Sequence, residues 1–295
     1  MPDSKVGYCN PLPRRPTGRK AGRNREAKAV NRKTALALNA INTRFYGELA
    51  VEFSSTREAP WPGWLRVLSN LERRAGDREL AVLDVGCGNG RFATFLAENL
   101  GNRRERLHYL GVDASGTLLE HAGAKKLPFA TTEYRGLDFV ESHLGEALGP
   151  RDFDLVVLFG VLHHIPGAAR RQQLLDDVCA HLRPGGLVAL TAWQFEAFER
   201  FRDKVLPWDE YNRTAESPVD TRELESGDHL LPWGQDAVAV RYCHFADEKQ
   251  TRQVLADLPL EIVETYTADG REGNLNRYFL LRKSETNDAP RNPAV

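Results

Sequence analysis

From residue 79 onward the chain repeats one unit, a short apolar run followed by a segment with helical spacing. LAVLDV (80–85), LHYLGV (107–112), TTEYRGLD (131–138), FDLVVLF (153–159) and GLVALTAW (186–193) read as five strands. RFATFLAENL, SGTLLEHAGA, VESHLGEAL and GAARRQQLLDDVCAHL read as the helical connections between them. Strands joined this way need crossovers, so the sheet is mostly parallel and covered on both faces. Two further strands, LEIVETYT (260–267) and NRYFLLR (276–282), follow a helix near ADEKQTRQVLADL. The short loop between these last two predicts an antiparallel hairpin at the sheet edge. The expected fold is α/β: a doubly wound seven-stranded sheet, mostly parallel with an antiparallel last strand, plus an insertion or cap between strands five and six.

The first strand runs into LDVGCGNGR (83–91). An open parallel sheet binds its ligand at the carboxyl ends of the strands, beside the point where strand order reverses. Gly86 and Gly88 allow backbone to approach a ligand, and the helix starting near Gly90 offers unpaired N–H groups. Asp84 adds an acid at this turn, and Asp113 places a carboxylate where both ribose hydroxyls can donate to it. A nucleoside ligand follows. The spacing is G-x-G-x-G, with Arg91 where a dinucleotide fingerprint wants glycine. Asp84 near the loop suits an ammonium group, so a ligand with an amino-acid end fits better than a pyrophosphate.

The 295 residues are 41% hydrophobic and 27% charged, with formal net charge −1, as in ordinary globular chains. No apolar run approaches the ~20 residues of a membrane helix and the N-terminus lacks a secretory core, so a cytoplasmic protein off the membrane is expected. Four scattered cysteines, Cys9, Cys87, Cys179 and Cys243, form no C-x-x-C pair and are expected to be reduced and structural. The near-neutral total hides an asymmetry, because the first 33 residues hold ten basic and two acidic side chains, a net +8. Residues 1–33 are expected to form a basic disordered arm, either contacting RNA phosphates or serving as a solvated tail or targeting segment. Residues 34–283 form the main domain with insertion 194–245, and 284–295 a disordered tail.

The order LDVGCGNGR, LGVDAS, RGLDF, FDLVVLFGVLHHI and LRPGGLVALTAW, over residues 80 to 193, resembles class I S-adenosylmethionine-dependent methyltransferases, whose sheet is Rossmann-like. This resemblance implies S-adenosyl-L-methionine as cofactor. It gives Asp84, Gly86, Gly88 and Gly90 to the methionine end, Asp113 to the ribose and Asp138 to the adenine amino group, with Leu137 and Phe139 beside the ring. Phe159 and Gly160 depart from the family's usual Asn or Ser after strand four.

The flanks narrow the resemblance. FSSTREAPWP before strand one, VLHHI with Arg170 and Arg171, LPWG, RYCHFADEKQ and GNLNRYFLL resemble the eukaryotic-type tRNA wobble-uridine (5-carboxymethyluridine) methyltransferases. That family esterifies a carboxymethyl group on the anticodon's first nucleotide. It works with a small zinc-binding activator protein that adds an edge strand and covers apolar surface. The expected function is therefore methyl esterification of tRNA. A carboxylate with pKa near ~4 is already ionised, so it needs alignment rather than a general base. Arg57, Arg241 and Arg277 are candidate aligning groups, because a guanidinium fork matches a carboxylate. His163 or His244 would donate a further hydrogen bond. No metal is expected at His163 and His164, which lack a carboxylate or cysteine at ligand spacing. The aromatics of 194–245 are expected to form a cap with one or two facing substrate. The acids of 204–235 would repel phosphate, which sends RNA along the arm and the Arg57 side. The alternatives are a methyltransferase of a small carboxylate, hydroxyl or amine, and a noncatalytic binding subunit of the same fold.

Overall fold

The computed structural model describes residues 30–56, 58–76, 78–234 and 239–285. Arg57, most of the basic arm and the tail beyond 285 lie outside them. Nine strands, β1 (Leu80–Val85), β2 (Leu107–Asp113), β3 (Thr131–Gly136), β4 (Phe153–Leu158), β5 (Leu182–Trp193), β6 (Asp228–Trp233), β7 (Ala239–His244), β8 (Leu260–Ala268) and β9 (Asn276–Lys283), form two sheets among the described residues. The larger has seven strands in the order β3-β2-β1-β4-β5-β9-β8. Strands β1 to β5 pair in parallel, and β9 runs antiparallel to both β5 and β8. This is the expected sheet, and the antiparallel β8–β9 hairpin lies at its edge, with β8 outermost and β9 between β5 and β8. Burial explains the choice: Tyr278 to Leu281 are all buried and need a neighbour on each side, whereas the half-exposed β8, with Glu261 and Glu264, tolerates the rim.

The helices are α1 (Arg32–Ser55), α2 (Trp64–Ala75), α3 (Arg91–Asn99), α4 (Gly116–Gly123), α5 (Leu144–Leu148), α6 (Ala168–Ala180), α7 (Glu199–Arg202), α8 (Trp208–Thr214) and α9 (Glu248–Ala256). Alternation along each strand sorts its side chains onto two apolar layers. Leu80, Val82, Tyr109, Leu155 and Val157 pack with Trp64, Leu68 and Phe92 of α2 and α3. Leu83, Val85, Val112, Val156 and Leu158 pack with Leu174, Val178 and Leu255 of α6 and α9. Among the described residues no helix is long and apolar enough to cross a membrane.

Between β5 and α9 the chain builds a cap from α7, α8 and the β6–β7 hairpin. Helix α1 closes it: Leu38 and Ile41 join Val219, Leu230 and Tyr242 in one buried cluster, and the Tyr242 N–H donates to Asn42 Oδ1 at 2.8 Å. The folded region begins earlier than residue 34. Asn31 caps α1 by accepting from the Thr34 N–H at 2.9 Å, and Val30 is buried.

Candidate active site

The carboxyl ends of β1, β2 and β4, the cap and α1 enclose one cavity of about 960 Å³. Its sheet side begins at the glycine turn. Gly86, Gly88 and Gly90 all have positive φ, at 73°, 52° and 71°. A Cβ on Gly86 would collide with Val161 Cγ2, whereas Gly88 has nothing nearer than Leu118 Cδ1 at 4.0 Å and faces open space. Gly90 does not line the cavity. A Cβ there would meet Ala122 Cβ and the Tyr134 hydroxyl at 3.0 Å, so this glycine permits the close packing of α3 on its neighbours.

Asp84 lies on β1, almost fully buried, and accepts from the Tyr109 hydroxyl at 2.5 Å. Burial pushes its pKa up to about 7, against the opposing pull of that hydrogen bond. Asp113, at the end of β2, accepts from the Gly88 N–H and the Ser115 N–H, each at 2.8 Å, and burial raises it too. Neither acid is ion-paired with a cation among the described residues. A ligand bringing an ammonium group and a diol would satisfy both, so the residues present fit S-adenosylmethionine. Asp138 and Phe139 also line the cavity, but Asp138 accepts from Asn39 Nδ2 at 2.7 Å and from the Val140 N–H at 2.8 Å, which occupies much of its capacity.

The opposite side is built differently. Arg241, on β7, is buried with 7% exposure, and its guanidinium sits 4.8 Å from the Trp193 ring centroid and 5.5 Å from that of Phe45. No described carboxylate pairs with it, and its Nε has no hydrogen-bond partner. His163 lies beside it, with a buried Nδ1 that also lacks a partner. Burial, reinforced by His164 and Arg241, holds His163 well below the usual histidine value, hence neutral at pH 7. His164 is committed elsewhere: its Nδ1–H donates to the Tyr242 carbonyl at 3.0 Å, and its Nε2 accepts from the Tyr46 hydroxyl at 2.9 Å. His244 and Arg277 do not line the cavity. His244 faces Asp228 at 2.8 Å and Glu225 at 3.5 Å, beneath the cap, and Arg277 pairs with Glu248 at 3.1 Å.

The fold also gathers residues that spacing does not reveal. Cys243 brings its sulfur within 4.8 Å of ring nitrogens of His163 and His164, supplying the cysteine that the sequence lacks nearby. Asn39, Asn42, Thr43 and Tyr46 line the cavity from α1. Their three- and four-residue spacing is an uncharged polar stripe beside the apolar one of Ala35, Leu38, Ile41 and Phe45, the signal that could have marked them. Of the cap aromatics, Trp193, Phe201 and Trp233 face the cavity, while Phe195 and Tyr242 are buried in the cap itself.

A family model described as a methyltransferase domain matches residues 83–188. The tRNA (carboxymethyluridine(34)-5-O)-methyltransferase of Macaca fascicularis is 30% identical over 151 residues, 51% of this chain and 19% of that protein. Its namesake from Saccharomyces cerevisiae is 30% identical over 153 residues, 52% of this chain and 48% of that one. A putative methyltransferase of Encephalitozoon cuniculi is 26% identical over 77% of this chain and 90% of its own length. The chain thus spans less than half of either carboxymethyluridine enzyme. In fold, the magnesium protoporphyrin IX methyltransferase from Synechocystis matches with a TM-score of 0.54 at 14% identity, covering 83% of this chain and 99% of that one. A methyltransferase from Clostridium acetobutylicum matches at 0.53 and 12% identity, over 82% and 97%. Strand order and an acid-lined glycine turn agree with these matches: residues 83–188 carry a methyltransferase domain, and about half of the chain is similar in sequence to the tRNA carboxymethyluridine enzymes.

Proposed function

We propose that this chain transfers a methyl group to a carboxylate, forming the methyl ester of a carboxymethylated wobble uridine in tRNA. One observation carries the reading: Arg241, a buried and unpaired guanidinium held between two aromatic rings, shares a cavity with the acid-lined glycine turn. The cavity is polarised. Its four acids, Asp84, Asp113, Asp138 and Asp269, come from the sheet side and outnumber the one cation there, Arg91, whereas Arg241 comes from the cap. An ammonium-bearing nucleoside suits the first side and an anionic acceptor the second. The sequence similarity to carboxymethyluridine enzymes supports the same acceptor.

When bound, S-adenosylmethionine supplies a methyl group activated by its sulfonium. Asp84 would hold the ammonium and Asp113 the ribose hydroxyls, and Gly86 and Gly88 would admit the chain between them. Arg241 orients the acceptor carboxylate and, being buried, does so with little competing water. The depressed basicity of His163 agrees with an acceptor that arrives ionised, and leaves this ring a hydrogen-bonding part. Arg57, outside the described residues, remains the proposed second clamp. A small zinc-binding activator that adds a strand has two sheet edges to choose from, β3, where Glu133 is already paired with Arg135 at 2.9 Å and Arg151 at 3.2 Å, and β8.

The test is Arg241→Lys. Charge is retained but the fork is lost, so single-turnover transfer to carboxymethyluridine-containing tRNA should fall at least tenfold, about 1.4 kcal/mol, while cofactor affinity by calorimetry stays parental. A parental rate, or a rate that instead follows His163 with rising pH, would point to a hydroxyl or amine acceptor.

A further inference from the structure

Acids in the insertion argued against RNA over the cap, but the structure sorts those charges. No acid of 194–245 among the described residues lines the cavity. Asp209, Glu210, Glu216 and Asp220 are exposed elsewhere. Two exposed cations of the same insertion, Arg200 and Lys204, do line it. We propose that Arg200 and Lys204 form an anion subsite at the cavity rim that holds a phosphodiester of the RNA strand whose modified base reaches Arg241. The proposal rests on the tRNA reading above.

Three features carry it. First, both cations lack a carboxylate partner among the described residues, whereas their neighbour Arg202 pairs with Glu199 at 3.7 Å, donates to the Glu196 carbonyl at 3.4 Å and does not face the cavity. Second, Arg200 is held in place. Its guanidinium lies 4.8 Å from the Phe201 ring centroid and 5.4 Å from that of Phe198, which leaves the edge of the fork free for an oxyanion. Third, the rim is joined to the buried site by packed side chains. Phe201 meets Trp193 at 5.1 Å, and Trp193 meets Arg241 at 4.8 Å, so a ladder of two aromatic rings links the exposed cation Arg200 to the buried one. A small carboxylate would need only the buried arginine. A nucleotide in a chain brings a second anionic group and a ring, and the ladder offers a cation for each anion with aromatic surface between them.

The probe is a synthetic anticodon stem-loop with 5-carboxymethyluridine at the wobble position, bound to the full-length chain across about 0.05 to 0.3 M salt. Arg200→Ala with Lys204→Ala should weaken binding about 10-fold near 0.1 M and make the slope of log affinity against log salt shallower by ~0.7, one phosphate neutralised on a single strand. Arg202→Ala should match the parent, and so should the slope of the charge-preserving pair Arg200→Lys with Lys204→Arg. Parental affinity of the double alanine variant for S-adenosylhomocysteine, by calorimetry, shows that it is folded. A parent that binds RNA with a steep salt slope, beside a double variant with the same slope, would overturn the subsite and leave the tRNA reading standing. An equal loss in Arg202→Ala would also overturn it, because the effect would then be one of general surface charge. A parent without salt-dependent RNA affinity would overturn both.

Discussion

Asp84 shows how one residue couples burial to binding. Its folded pKa, raised from 3.8 to about 7, means that its contribution to stability is fully present below about 3.8 and is lost as pH rises through about 7. Ligand binding has the opposite sign, since an ammonium beside Asp84 favours the ionised carboxylate. Affinity for S-adenosylhomocysteine is therefore expected to be flat above pH 7 and to fall up to about tenfold per unit below it, with proton release on binding. Calorimetry at pH 6 in two buffers of different ionisation heat reads that proton directly. Tyr109→Phe removes the hydrogen bond that favours the anion and should shift the onset of the fall to higher pH. Binding without proton release at pH 6 would take Asp84 away from the ammonium.

The loop between β8 and β9 acts at the scale of elements. Asp269 sits there with φ 68°, a left-handed conformation unusual for any residue but glycine, and is buried. Its carboxylate accepts from the Gly63 N–H at 3.0 Å, Asn276 Nδ2 at 2.8 Å and the Tyr278 hydroxyl at 2.6 Å. The Tyr266 hydroxyl completes the latch by donating to the Gly63 carbonyl at 2.7 Å. The latch fixes the P-W-P-G segment, so that Trp61 lines the cavity and stacks against Arg91 at 5.1 Å. A side chain at Gly63 would collide with the Tyr278 ring, which explains the glycine after P-W-P. Asp269→Ala strands three buried donors and keeps the backbone strain, for a loss of about 2 to 4 kcal/mol in denaturant unfolding. Asp269→Asn tolerates the left-handed conformation and keeps part of the bonding, and it should lose less. Equal losses would mean that the carboxylate does not hold the loop.

Charge is a property of the whole molecule. The total is −1, so the +8 of residues 1–33 leaves −9 on the rest. RNA affinity should draw on the basic segment as well as on the cavity. Deleting residues 1–29 is the clean test, because Val30 is buried, the Arg170 side chain donates to its carbonyl at 3.1 Å, and Asn31 caps α1. The truncated chain should keep its cofactor affinity and its unfolding midpoint but bind tRNA with a shallower salt dependence. Filter binding at several salt concentrations reads the slope, and an unchanged slope would return the segment to the role of a solvated tail or targeting signal.

The sequence by itself determined the seven strands of the large sheet, their order of appearance, the glycine turn and the two acids beside it, but not the β6–β7 hairpin of the cap. Each of these is local: apolar runs, helical spacing and a backbone that must turn with positive φ are written in neighbouring residues. Tertiary structure decided the rest. Burial demand placed β9 inside the sheet, and the cap hairpin turned Arg241 inward while turning His244 toward Asp228 and Glu225. It also set Cys243 beside the histidine pair and made α1, far upstream of the first strand, a wall of the cavity. The physical reason is the range of the interaction: a charge 50 residues beyond its strand faces ligand or solvent according to which apolar surfaces its element must cover, and that depends on partners distant in the chain.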